Sequence, residues 1–297
     1  MAGTTRPRPT PEDRKAQAEA LHASITDQIE TLVRSDRWVR FLQFAQSFHS
    51  FSLNNLLLIL SQNPDATAVA GFRQWQGKGR QVRKGEKAIR IFGYSTRKTT
   101  DTDPDGIEQE KRVPRFPILS VFDLTQTDPI DGMEDYSSPA RPLTGDTDHG
   151  ITDTLTTYLT ELGWTVTREL IRGGANGYTA PTTRAVVIDA GLSPEQAAKT
   201  TLHETAHILL GHTDETPSTY VEHRGLKETE AESVAYIVAG IHGFDTSAYS
   251  VGYIAGWSGG DTTLIRSTAD SVLRIAHQIT GILTPDEDAP AAGEEVA

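Results

Sequence analysis

A chain of 297 residues, 37% of them apolar, is long enough to bury a substantial core in one or two domains. It has no cysteine, which excludes disulfides and thiolate metal sites, so a metal here must rest on His, Asp and Glu. A net charge of −12 excludes a surface that is basic throughout, yet the basic residues are unevenly spread.

The N-terminal stretch MAGTTRPRPTPEDRKAQ lacks the apolar region of an export signal. The longest apolar run, Leu56 to Leu60, is far short of the roughly 20 residues that span a bilayer. The expectation is a soluble, cytoplasmic protein without a membrane partner. Thr10 caps a first helix that Pro11 opens, with Leu21, Ile25, Ile29 and Leu32 along one face. A second helix begins after Ser35 and repeats Trp38, Phe41, Leu42, Ala45 and Phe48 at helical spacing. A third follows Ser52 and stops at Asn63, where NPD breaks it.

KAIRIFGYS and FPILSVFDLTQT read as strands on either side of the polar segment TTDTDPDGIEQEKR, a long solvated hairpin tip. DPIDGMEDYSSPARPLTG, from Asp128 to Gly145, is dense in turn residues and has no period, which marks a linker. Beyond it come a helix from Asp148, the strand WTVTREL, a hairpin in GYTAPTTRAVVID and three further helices. The first of these three opens with Ser193 as cap, Pro194 in the first helical position and Gln196 completing a capping box. The expected fold class is α+β, with N-terminal helices and a small antiparallel sheet followed by a second domain. Expected boundaries are a first domain over 1–127, a linker over 128–145, a second domain over 146–283, and a disordered acidic tail over 284–297.

The capped helix carries LHETAH. On a helix, residues four apart share a face, so His203 and His207 can aim ring nitrogens at one ion. Glu204, between them, can reach a water bound to that ion. This is the zincin arrangement, in which zinc takes two histidines and a glutamate acts as general base. A third histidine ten residues after the first would make a metzincin, but that residue is Thr213 and His212 is one short. A glutamate from the next helix is the other solution, and KETEAESVAY offers 228, 230 and 232. Glu228 and Glu232 share a face and Glu230 lies on another. Resemblance to thermolysin-like zincins makes Glu228 the ligand and Glu232 the acid that orients a histidine, with Glu232 as the alternative ligand. His223, Tyr220 and His212 are candidate oxyanion donors.

Between Phe72 and Lys98 nine Arg or Lys face a single acid, Glu86. Single-strand binders pair a basic groove with aromatic platforms for bases. Arg73, Lys78, Arg80, Arg83, Lys84, Lys87 and Arg90 are interleaved here with Phe72, Trp75, Phe92 and Tyr94. Asn54 and Asn55 can read bases or cap turns.

The stretches SLNNLLLI, NPDAT, GFRQW, GRQVRKGEKAI and VFDLTQT, followed by HETAH and EAESVAY, closely resemble the ArdC-type antirestriction proteins. The likeness covers most of residues 35–240. It implies a single-stranded-DNA-binding domain joined to a zincin-like, zinc-dependent metallopeptidase domain that acts on an unidentified protein and protects incoming mobile-element DNA. The alternative is a single-strand shield whose zincin domain is structural.

Overall fold

The computed structural model describes residues 10–102, 108–133, 148, 150–214, 223–246 and 258–284. The tip at 103–107, most of the expected linker and the acidic tail from 285 lie outside them. The chain divides into two compact units, one taking in residues up to Gln28 and Leu57–Tyr136, the other Ile29–Leu56 and Ser137–Pro290. Residues 29–56, read from sequence as part of the first domain, are thus grouped with the C-terminal unit. None of the described helices is long and apolar enough to cross a membrane.

In the first unit, α1 (Pro11–Thr31) starts at a reciprocal cap. The Asp13 amide donates to the Thr10 hydroxyl at 3.1 Å, and the Thr10 amide donates back to the Asp13 carboxylate at 2.8 Å. Of α3 (Leu53–Gln62), the last residue reaches the sheet: the Gln62 amide group donates to the Arg90 carbonyl and accepts from the Arg90 amide, both at 2.9 Å. That sheet is antiparallel, in the order β1 (Val69–Gly71), β6 (Ile118–Asp123), β3 (Ile89–Phe92). Asp123 explains the VFDLTQT stretch. Its buried carboxylate accepts from the amides of Thr67 at 2.8 Å, Ala68 at 3.2 Å and Thr125 at 2.9 Å. With the Thr125 hydroxyl donating as well, this buried carboxylate is fully partnered and fixes the chain around it.

The six-residue α4 (Phe72–Gly77) follows β1, and two short ribbons complete this unit. β2 (Arg80–Val82) pairs with β7 (Thr127–Pro129), and β4 (Ser95–Thr102) pairs with β5 (Glu108–Arg115) in register from Ser95↔Arg115 to Thr102↔Glu108. The polar segment read as a solvated tip is therefore largely paired strand. Its sequence carries no apolar alternation, so periodicity could not reveal it.

The second unit is built on helices. α2 (Ser35–Phe48), α6 (Pro194–Leu209) and α8 (Thr262–Leu283) all pack on α7 (Arg224–Ile241). Val234 to Ala239 of α7 are buried without interruption, as expected of a helix surrounded by others. Trp38 of α2, fully buried, donates its indole N–H to the Ser233 hydroxyl at 3.0 Å. A three-stranded sheet stands beside them, with β10 (Ala185–Asp189) between β8 (Thr165–Glu169) and β9 (Gly177–Ala180). β10 runs antiparallel to β9, as the hairpin reading expects, and parallel to β8. α5 (Ile151–Glu161) packs on α6 and β8. The architecture is α+β.

Candidate metal centre

The site grows from the way α6 starts and stops. Ser193 accepts from the Gln196 amide at 3.3 Å and Pro194 occupies the first turn, which fixes the helix phase nine residues before His203. Ala197, Ala198, Thr201, Leu202, Thr205 and Ala206 turn into the core. His203 and His207 face α7, whose Glu228 and Glu232 lie against them.

His203 Nε2 and His207 Nε2 face each other at 3.0 Å. A Glu228 carboxylate oxygen lies 3.5 Å from the first and 3.8 Å from the second. Among the described residues, these three form the group whose ligand atoms all lie within 4.8 Å of one another. A tetrahedral ion with bonds of about 2.0–2.1 Å holds its ligand atoms about 3.4 Å apart. The three separations bracket that edge, and two imidazoles plus a carboxylate make a donor set suited to a divalent cation. Burial pulls the His203 imidazole down, but Glu228, Glu232 and the charge of Glu204 outweigh it and hold the group up to about 10. His207 is held below the ordinary imidazole value, chiefly by burial, with Glu228 opposing.

Glu232 faces the other side of the same ring. Its oxygen is 3.1 Å from His203 Nδ1, off the hydrogen-bonding direction, so that buried nitrogen has no hydrogen-bond partner. Geometry therefore puts Glu228, not Glu232, on the Nε2 side. Glu204 is buried, and its carboxylate accepts from the Thr179 hydroxyl of β9 at 2.7 Å.

His212 and Glu230 carry contacts that the sequence reading did not assign. His212 Nδ1 meets His207 Nδ1 at 2.9 Å, and His212 Nε2 meets a Glu230 oxygen at 3.0 Å. His212 is turned away from the Nε2 pair, which does not suit an oxyanion donor. His223 is the exposed residue preceding α7, and Tyr220 lies outside the described residues.

The candidate DNA residues separate into surface and scaffold. Trp75 is 1% exposed, donates its indole N–H to the Phe122 carbonyl at 2.8 Å and packs with Ala70 and Val82. It is core and offers no stacking face. Arg80 donates to the Thr127 hydroxyl at 2.7 Å. Arg83 pairs with Glu86 at 2.9 Å and Asp128 at 3.3 Å and donates to the Thr125 carbonyl. Arg90 donates to the Ser120 hydroxyl. These three guanidiniums brace the β2–β7 and β3–β6 pairs. Asn54 accepts from Arg266 at 2.6 Å, and the Asn55 amide caps onto Ser52 at 3.4 Å. Arg73, Lys78, Lys84 and Lys87 are exposed. Among the aromatics, Phe72, Tyr94 and Phe116 are exposed by 45%, 50% and 64%, and Tyr94 and Phe116 meet edge-on at 5.8 Å. Phe116 was hidden in a stretch that reads as strand. Its signal is the Phe-Pro pair at a strand start, where the side chain precedes the buried run.

Residues 15–122 match the family model described as the N-terminal domain of anti-restriction factor ArdC. An uncharacterized protein of Bacillus anthracis is 25% identical over 275 residues, taking in 81% of this chain and 46% of that protein. The chain thus spans about half the length of that curated relative. Two crystal structures of the antirestriction ArdC protein from plasmid R388 are also similar. The metal-free one is 19% identical with a TM-score of 0.47, covering 79% of this chain and 84% of that one. The Mn(II)-bound one is 20% identical with a TM-score of 0.48, covering 80% and 85%. Residues 15–122 of the chain are thus similar to the N-terminal domain of anti-restriction factor ArdC.

Proposed function

We propose that this is an anti-restriction protein that joins a single-stranded-DNA-binding unit to a zinc-dependent peptidase site. The observation that carries the peptidase half is the triangle of His203 Nε2, His207 Nε2 and the Glu228 oxygen, with sides of 3.0, 3.5 and 3.8 Å. These three residues would hold the ion. Zinc bound there supplies Lewis acidity for a peptide carbonyl and lowers the pKa of its water towards about 7.

Glu204 would serve there as the general base towards an attacking water and as the acid that protonates the leaving amine. Thr179 holds one of its oxygens, at 2.7 Å, and so sets where the carboxylate sits on its helix. Glu232, beside His203 Nδ1, supports the ring from behind. On the first unit, exposed Arg73, Lys78, Lys84 and Lys87 supply phosphate contacts, and Phe72, Tyr94 and Phe116 supply faces for bases. Such binding weakens steeply with salt.

The test is Glu204→Gln, which keeps the shape of the side chain and removes the base. Protection of incoming single-stranded DNA should fall while zinc and oligonucleotide binding persist. Undiminished protection would instead favour the shield reading, in which the second unit is structural.

A further inference from the structure

His212 and Glu230 are buried or nearly so, belong to different elements, and have no part in the reaction as described. We propose that they are positioning residues that hold His207 as the tautomer protonated on Nδ1, so that its Nε2 lone pair points at the cation. The inference rests on the reading of His203, His207 and Glu228 as the cation site.

The direction of the chain of contacts follows from its end. The Glu230 carboxylate only accepts, so His212 Nε2, 3.0 Å away, carries a hydrogen. A neutral imidazole has one N–H, so His212 Nδ1 is an acceptor. The group facing it at 2.9 Å is His207 Nδ1, which must therefore donate. His207 Nε2 is left as a lone pair, and it is this nitrogen that lies 3.0 Å from His203 Nε2 and 3.8 Å from Glu228. Ring tautomers of ligand histidines are commonly set by a carboxylate or a carbonyl. Here the carboxylate acts through a second imidazole.

The end of α6 makes this possible. Gly211 has φ +75°, its amide donates to the Ile208 carbonyl at 3.0 Å, and the His212 amide donates to the His207 carbonyl at 3.0 Å. That is a Schellman cap, in which the second residue past the helix folds back over the residue three from its end. The contact is usually between two apolar side chains. In this chain both positions are histidines, and the cap brings ring to ring at a centroid distance of 5.0 Å. Glu230 arrives from α7 on a different face from Glu228, so one helix supplies both a ligand and the far end of the relay.

The test uses the full chain, 15N-labelled and metal-free, with long-range proton–nitrogen spectra of the imidazoles, followed by zinc titration against a chromophoric chelator. The wild type should show His207 protonated on Nδ1 and bare on Nε2. His212→Leu should weaken zinc binding by about 10- to 100-fold. His212→Gln, whose amide oxygen can accept from Nδ1–H, should recover most of that loss, which a purely space-filling role would not predict. A wild-type His207 protonated on Nε2 overturns the proposal even if the Leu variant fails to fold. Undiminished zinc binding by His212→Leu overturns the relay and leaves the cation site standing. A wild-type chain that binds no zinc overturns the cation site and this role with it.

Discussion

Gly177 offers a direct test of how β9 is held against the helix that carries the site. A Cβ at this position would lie 2.7 Å from Thr200 Cγ2, 3.0 Å from the Val187 carbonyl oxygen and 3.2 Å from Ile188 Cδ1. The first contact is a hard overlap with α6, and the second is with backbone that cannot swing aside. Gly177→Ala should therefore destabilise the chain by about 1–3 kcal/mol, the usual range for forced overpacking. Thr200→Ser removes the methyl group responsible for the worst overlap and keeps the hydroxyl that donates to the Gln196 carbonyl at 2.8 Å. Alone it should cost about 0.8 kcal/mol for one buried methyl. Together the two changes should cost less than their sum by at least about 0.5 kcal/mol, with the Val187 contact preventing full rescue. Urea unfolding followed by tryptophan fluorescence measures all four corners of the cycle. Thr179 lies two residues along on the same face of β9, so the same displacement should loosen its 2.7 Å hold on Glu204. A Gly177→Ala variant within about 0.5 kcal/mol of wild type, or strictly additive changes, would refute the close approach of β9 and α6.

Three further outcomes follow from the packing. Phe116→Ala should leave stability within about 0.5 kcal/mol and weaken oligo(dT) binding by about 1–3 kcal/mol, read by fluorescence anisotropy. Trp75→Ala should cost about 3–5 kcal/mol in urea unfolding, since that ring is core. Ser233→Ala should cost about 1–3 kcal/mol by leaving the buried Trp38 N–H without a partner, and Trp38→Phe in the same background should show coupling between the two. Burial, reinforced by the charge of His277, holds His49 below its ordinary value of 6.5 despite a backbone hydrogen bond at Gln46. Its contribution to stability is therefore complete above pH 6.5 and lost as pH falls through the folded value. His49→Phe should flatten the acid side of the stability profile, and an unchanged slope would contradict the buried neutral ring.

The parts of this fold that were legible in the sequence are those with local, repeated signals. Ser193 and Pro194 announced the start of α6, and the i, i+4 spacing of His203 and His207 announced their shared face. The apolar repeat of α2 was equally plain, although nothing in it disclosed packing on α7. Three-residue strands such as β1 and β2 exist only because a partner pairs with them, so no period marks them. Trp75 sits in a six-residue helix among cations, where burial and stacking predict the same sequence. The spacing puts Glu230 off the face of Glu228 and Glu232, which says nothing of what it meets there. Its partner His212 is placed by a left-handed glycine beyond the helix end, a geometry that counting residues along a helix does not reach.

A single cation held between α6 and α7 is what the proposed peptidase function requires first. Zinc titration of the purified, chelator-stripped chain, with the bound metal counted by mass spectrometry of the native protein, measures it. The proposed site predicts one ion per chain, lost in His203→Ala and His207→Ala, weakened in Glu228→Gln and retained in Glu204→Gln. A folded chain that binds no divalent ion, or one whose binding survives both histidine substitutions, would contradict it.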